Sequence, residues 1–296
     1  MITSKPFLKW AGNKHALIPV LTEHFGKGKR LVEPFLGSGA VFMGTDYKEY
    51  FLSDINPDLI GLYNNLKHNS CDVIAETKKL FADNYNTESA YYALRDEFNN
   101  LQDSTAIRKS AIFVYLNKHA FNGLCRYNSS GKFNVPYGRK NARKNKLDER
   151  LFEDSGDDFT ISSASFPLEE MEKFAIKCEI AEFRLASFEE TMLMAVEGDV
   201  VYCDPPYVPL TLTANFNSYS VDNFTMDNQR RLADLATELT NKNIRVIISN
   251  HDTDVSRELY KGATITEIDV RRYIASKSSQ RGMAKELIAV FNKENK

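Results

Sequence analysis

A chain of 296 residues, 43% hydrophobic and 26% charged, is long enough to bury a sizeable core and is neither disordered nor fibrous in composition. Its formal net charge of -2 gives no hint of a nucleic-acid partner until the charge is followed along the chain. Met1–Lys14 is not an apolar leader, no stretch approaches the ~20 apolar residues of a membrane span, and Cys71, Cys125, Cys178 and Cys203 lack CxxC or Cys/His ligand spacing, so a cytoplasmic protein with reduced thiols, no metal and no membrane partner is expected.

Apolar patterning predicts strands at Leu31–Phe35 and Tyr50–Ile55, joined by a glycine-bearing turn and a helix start. From Pro57 to His119 the period becomes helical, with helices near Asp58–Lys67, Val73–Ala82, Glu88–Asn100 and Ala106–His119. Residues 120–138 are punctuated by Gly123, Ser129, Ser130, Gly131, Pro136 and Gly138, as in loops and a hairpin, and 141–165 reads as a polar surface insertion. An alternating pattern then resumes, with a helix near Leu168–Lys177, a strand at Glu179–Leu185, a helix at Phe188–Ala195 and a strand at Val200–Cys203. A helix at Met226–Asn243, a strand at Arg245–Ser249, a short helix near Val255–Lys261 and strands at Thr264–Val270 and Leu287–Phe291 complete it. Seven strands alternating with helices predict an α/β fold: a mainly parallel sheet covered on both faces, closing on an antiparallel edge. The chain divides into a catalytic domain (1–56 and 166–296), an inserted domain of helices and a hairpin (57–140), and the polar insertion (141–165).

Charge is concentrated in the insert. From Arg108 to Arg150 eleven Lys or Arg stand against Asp148 and Glu149, a formal +9. These cations are interleaved with His119, Phe121, Asn122, Tyr127, Asn128, Asn134 and Tyr137, a mixture suited to phosphates and base edges.

The turn Glu33-Pro34-Phe35-Leu36-Gly37-Ser38-Gly39-Ala40 lets backbone approach a ligand closely, but lacks the GK[ST] ending of a phosphate loop. Asp54, fifteen residues after Gly39, ends the second strand where a carboxylate reaches ribose hydroxyls. Together they favour a single nucleoside over a dinucleotide, with a capping or turn role for Asp54 as the competing reading. Asp204-Pro205-Pro206-Tyr207 follows an apolar strand directly, and its prolines make a stiff strand end. The Asp204 carboxylate and Pro205 carbonyl there can accept both N–H bonds of an exocyclic amine and turn its lone pair toward a sulfonium methyl, with Tyr207 stacking on the base.

Asp204–Tyr207 resembles the DPPY motif of amino-methyltransferases in their alpha order of glycine turn, insert and DPPY. The likeness extends to Phe7–Lys14, Val32–Phe42, Asn122–Asn128, Phe133–Arg139, Thr213–Phe216 and Ser249–Asp252, which together resemble the Dam family of DNA adenine methyltransferases. The resemblance implies a seven-stranded, Rossmann-like, S-adenosylmethionine-dependent methyltransferase sheet with a mostly helical target-recognition domain. It implies methylation of adenine N6 in double-stranded DNA, in GATC; a monomer is expected. Trp10 and Lys14 join Glu33, Pro34, Phe35, Gly37, Ser38, Gly39, Asp54 and Asp204 around the donor; Phe188 either packs on the donor's adenine or belongs to the core.

A duplex hides the adenine amine, so the base must be extruded. Phe121, where the family has tyrosine, is either the wedge that fills the gap or a core residue. Arg126 has the fork that reads guanine O6 and N7. The resemblance assigns Lys9 to a guanine at the other end of the site, Leu124 and Pro136 to base edges and the thymine methyl, and Asn122 and Arg139 to phosphates; Asn134 belongs to the same basic, polar surface. His251 is a wall or packing residue, and Arg271-Arg272 a phosphate contact or salt-bridge partner. The rivals are a DPPY enzyme acting on cytosine N4 or RNA, a non-catalytic DNA-binding relative, and a small-molecule methyltransferase, for which the basic insert has no use.

Overall fold

The computed structural model describes residues 5–138, 164–208, 224–271 and 283–293. Seven strands form one sheet: β1 (Arg30–Glu33), β2 (Glu49–Asp54), β3 (Ala181–Leu185), β4 (Asp199–Cys203), β5 (Arg245–His251), β6 (Thr264–Arg271) and β7 (Met283–Phe291), in the order β3-β2-β1-β4-β5-β7-β6. The first five in that order are parallel, and β7 runs antiparallel to both β5 and β6. The sheet is the α/β architecture expected from the sequence, antiparallel edge included.

Side-chain alternation along the strands sorts the core into two faces. Leu31, Tyr50, Leu52, Val200, Tyr202, Ile247 and Ile288 point to one cluster, while their neighbours Val32, Phe51, Val201, Cys203, Val246, Ile248 and Leu287 point to the other. The first face is covered by α1 (Ile18–Phe25), α3 (Pro57–His68) and α7 (Leu168–Lys177), the second by α8 (Phe188–Leu193) and α9 (Met226–Asn241). Between β1 and β2 runs the short α2 (Ala40–Gly44), and α10 (Asp254–Leu259) follows β5. Among the described residues no helix is long and apolar enough to cross a membrane.

The insert lies between β2 and β3. After α3 come α4 (Ser70–Lys79), α5 (Glu88–Asn100) and α6 (Ile107–His119). Asn56 starts α3 by accepting the backbone N–H groups of Asp58 and Leu59, with Pro57 in the first turn, where its missing donor costs nothing. α6 is buried almost all round, from Ser110 to Asn117, because α3, α4 and α5 surround it. Its apolar cluster is continuous with the first face of the sheet, so insert and sheet share one core.

Three elements differ from expectation. α1 was not anticipated: Pro19 and His24 interrupt its apolar pattern, yet Pro19 sits in the first turn, and Leu21 and Phe25 bury against the sheet. β7 begins at Met283, four residues before the apolar run, because pairing with β6 extends through polar positions such as Asp269 opposite Lys285. Cys178–Ile180 is a 3-10 turn rather than the start of β3.

Candidate active site

Strand order reverses between β1 and β4, and the crevice beyond their carboxyl ends is where an open α/β sheet places a ligand. Glu33, the glycine turn, Asp54 and Asp204 all leave strands at this edge. Gly37 and Gly39 have φ of +50° and +69°, a region that L side chains rarely adopt. Space is tight as well: a Cβ on Gly37 would lie 2.8 Å from Trp10 Nε1, and one on Gly39 3.0 Å from Phe174 Cε2.

Asp54 closes the turn from the neighbouring strand. Its Oδ2 accepts the Gly37 N–H at 3.0 Å and its Oδ1 the Asn56 N–H at 3.0 Å, while the Tyr63 hydroxyl of α3 donates to the Gly37 carbonyl at 2.7 Å. The turn role weighed for Asp54 is therefore real, and it orients the carboxylate at the crevice. Pro34 and Ser38 are buried beside it, and Phe35 is half-buried. Glu33 is buried with its Oε1 unpartnered, and burial raises its pKa to about 8, with Lys177 opposing the rise and Asp204 adding to it.

The Asp204–Tyr207 corner is braced at both Asp204 carboxylate oxygens, at the Pro206 carbonyl and at the Tyr207 hydroxyl. Lys14 Nζ pairs with Asp204 Oδ2 at 2.8 Å, and Ser249 Oγ donates to Asp204 Oδ1 at 3.0 Å, with the Tyr202 hydroxyl 3.0 Å from Ser249 Oγ. Gln229 Nε2 donates to the Pro206 carbonyl at 2.7 Å, and the Val208 N–H to Asn250 Oδ1 at 3.0 Å. Tyr207 donates its hydroxyl to Glu286 Oε2 at 2.9 Å, lies edge-on to His251 at 4.6 Å between ring centres, and has the Lys14 ammonium 4.8 Å from its own ring centre. Burial, then Asp204 and Glu286, hold that phenol well above its usual pKa, so it remains a donor. Among the described residues no donor reaches the Pro205 carbonyl.

Phe188 is buried, stacked on Phe35 at 5.7 Å and edge-on to Phe224 at 5.4 Å, so it forms the core side of the crevice wall. Ser187 and Glu190 form a capping box that fixes the start of its helix.

The hairpin follows α6. Bridges pair Ala120 with Tyr137 and Tyr127 with Phe133, and a turn closed by Asn128 joins the arms. Alternation then splits it cleanly. Phe133, Val135 and Tyr137 are buried against the insert, whereas Arg126, Asn134 and Pro136 share a more exposed face; Leu124 is half-buried and packs against the same core as Phe133. Arg126 Nε donates across that face to Asn134 Oδ1 at 2.8 Å. Phe121 is 50% exposed, which rules out the core role for it. Asn122 behind it takes a left-handed conformation, φ 54°, at the hairpin base.

Asn117 docks the N-terminal segment on this face. It accepts the Lys9 N–H at 2.8 Å and donates to the Lys9 carbonyl at 2.7 Å and the Gly123 carbonyl at 3.3 Å. Lys9 and the hairpin base are thereby adjacent.

The +9 segment is not a single basic face. Arg108 bonds Glu97 and Glu76, and Lys109 pairs with Asp58 at 3.0 Å, so two of the eleven cations neutralise acids inside the insert. Helical spacing pointed them inward, a direction that a count along the chain cannot see. Arg139, Thr213–Phe216, residues 141–163, the Arg271 side chain and Arg272 lie outside the described residues.

Sequence reasoning missed the brackets: Gln229, Asn250, Ser249 and Glu286 around the corner, Tyr63 at the turn, and Asn117 under Lys9. Only Ser249-Asn250, next to His251 at the end of β5, carried a positional signal. Among the described residues no three or more His, Cys, Asp or Glu are grouped to hold a metal ion, and all four cysteines are free thiols.

A family model described as D12 class N6 adenine-specific DNA methyltransferase matches residues 10–274. The chain is 41% identical over 291 residues to the DNA adenine methylase of Escherichia coli (strain K12), covering 98% of this chain and 96% of that one. The DNA adenine methylases of Serratia marcescens (40% over 292 residues, 98% and 100% covered) and Vibrio cholerae serotype O1 (41% over 292, 98% and 97%) are similarly close.

Proposed function

We propose that this chain, which belongs to the D12 class of N6 adenine-specific DNA methyltransferases, takes its methyl group from S-adenosylmethionine and places it on a flipped-out adenine in the duplex sequence GATC. The reading rests above all on Asp204 and the Pro205 carbonyl, two acceptors side by side at the switch point of the sheet, one braced from two sides and the other without a donor among the described residues.

The crevice suits the donor. A turn that is tight around Gly37, a ribose-reaching carboxylate at Asp54, a buried ammonium at Lys14 and a buried, unpartnered Glu33 oxygen are the groups that such a ligand needs. Trp10, Lys14, Glu33, Pro34, Phe35, Gly37, Ser38, Gly39 and Asp54 are assigned to it, with Phe188 behind Phe35. When bound, S-adenosylmethionine supplies an electrophilic methyl on a sulfonium.

This chain's residues do the rest. Asp204 and the Pro205 carbonyl accept the two N–H bonds of the amine, which draws its lone pair out of conjugation and aims it into the crevice. Pro206 stiffens the segment, and Tyr207, fixed by Glu286, offers its ring to the base. The developing positive charge on the amine is stabilised by the Asp204 carboxylate.

Reaching the amine requires extrusion, and Phe121 is the exposed aromatic side chain placed to fill the gap. Arg126 reads a guanine edge, Lys9 a second guanine, Leu124 and Pro136 the thymine methyl and base edges, and Asn122, Asn134 and Arg139 hold phosphate or base polar groups.

The test is labelled methyl transfer into duplex DNA followed by nucleoside analysis. N6-methyladenine from the wild type, with a loss of ~10³-fold in Asp204→Ala, supports the reading. N4-methylcytosine, or equal transfer by the variant, overturns it. Digestion with nucleases that cut GATC in opposite methylation states decides the site.

A further inference from the structure

Pro205 and Pro206 have no backbone N–H, so the peptide planes that carry the Asp204 and Pro205 carbonyls cannot be anchored through donation of their own. Their orientation depends on ring geometry and on donors brought to the segment from elsewhere in the fold. One arrives. Gln229, in the first turn of α9, is 2% exposed and donates Nε2 to the Pro206 carbonyl at 2.7 Å.

The Gln229 amide is itself held. Its Oε1 accepts from Asn250 Nδ2 and from the Tyr260 hydroxyl, each at 3.3 Å, and Asn250 Nδ2 also donates to the Tyr260 hydroxyl at 3.0 Å. With acceptors and donors so arranged, the NH2 rather than the oxygen of Gln229 faces Pro206. Asn250 turns its own Oδ1 to the Val208 N–H at 3.0 Å and the His251 N–H at 2.8 Å. Asn250 and Tyr260 are wholly buried. The segment is thus gripped on both sides of Tyr207, at Pro206 from α9 and at Val208 from β5.

We propose that Gln229 is a positioning residue for methyl transfer, fixing the Pro205-Pro206 segment so that the Pro205 carbonyl and the Asp204 carboxylate meet both N–H bonds of one amine. The inference rests on the proposed reading of Asp204 and Pro205 as amine acceptors. Gln229 itself touches neither substrate nor donor. Its effect falls on kcat, because two acceptors set at the wrong tilt still bind a base but no longer direct its lone pair. A misplacement of ~1 Å at a reacting centre costs on the order of 10²-fold in rate.

The experiment compares wild type, Gln229→Met and Gln229→Glu by steady-state kinetics on duplex DNA, donor affinity and thermal melting. Methionine keeps the length and loses the donor. Glutamate donates to Pro206 only while protonated, so its activity must depend on pH as the wild type's does not. The expected results are a kcat at least tenfold lower in Gln229→Met, with KM for duplex and donor within twofold, and Gln229→Glu activity that approaches wild type on the acid side and falls to the methionine level as pH rises. Wild-type kcat in Gln229→Met, or an equal deficit of Gln229→Glu at every pH, overturns the inference. If Gln229→Met does not fold, the pH profile of Gln229→Glu decides alone. A wild type that transfers no methyl to adenine removes the underlying reading as well, whereas an active wild type with an equally active methionine variant removes this inference only.

Discussion

The Lys14 ammonium lies 2.8 Å from the Asp204 carboxylate and 4.8 Å from the centre of the Tyr207 ring, so one buried lysine engages both the acidic and the aromatic side of the corner. On the proposed reading the same ammonium meets the donor's methionine carboxylate. Replacing it with the apolar, similarly long side chain in Lys14→Met leaves Asp204 without its cation. Because Asp204 retains Ser249 and some solvent access, the stability loss should stay below about 3 kcal/mol. Donor affinity, measured by calorimetry, should fall about tenfold or more, the scale of one charge-assisted contact. Unchanged affinity would confine Lys14 to pairing with Asp204.

Phe121 projects into solvent at half exposure, between an α6 end tied to the Leu116 carbonyl and a base tied to the Pro136 carbonyl. Truncation removes little packing, so Phe121→Ala should melt with the wild type, within about 0.5 kcal/mol. Its deficit should appear on duplex DNA: the fluorescence of 2-aminopurine at the target position should rise less on binding, and transfer to a matched duplex should suffer more than transfer to a duplex with a mismatch at the target. Equal fluorescence in both proteins would remove the wedge.

How legible the molecule was follows from which physics writes itself into local sequence. Val200–Cys203 and Tyr50–Leu52 are apolar on both faces because helices cover both sides of the sheet, and such runs are plain in the sequence. The Asp204–Tyr207 corner was equally plain, since stiffness at a strand end comes from prolines next to each other. What holds that corner was not: Gln229, Ser249, Asn250 and Glu286 come from α9, β5 and β7, and a buried polar residue in a helix or strand looks like a solvated one until its partner is known. Charge failed for a related reason. Arg108 was added to a basic surface, but the acids it satisfies, Glu76 and Glu97, come from α4 and α5.

Arg126 should reveal itself by what kind of loss its removal causes. Its guanidinium is exposed and bonded to Asn134 on the outer face of the hairpin, so Arg126→Ala should leave the fold intact. If it reads one guanine, the variant should lose about 1–3 kcal/mol of discrimination at one base pair while near-cognate sites are methylated almost as before. Rates on a panel of duplexes altered singly at each GATC position measure this. A uniform loss across the panel would make Arg126 a phosphate contact.

Glu33 ties the crevice to pH. Its ordinary carboxyl value of 4.5 is raised to about 8, chiefly by burial. Between those values the native protein keeps a proton that the unfolded chain has released. Stability from this group is therefore complete below the unfolded value and declines as pH rises toward the folded one, by at most about 1.4 kcal/mol per pH unit. Glu33→Gln, similar in shape and neutral throughout, should escape the decline. Chemical denaturation of both proteins from about pH 5 to about pH 8.5 should show the variant gaining on the wild type up to about pH 8 and then running parallel. A constant difference across the range would mean that Glu33 is ionised in the fold.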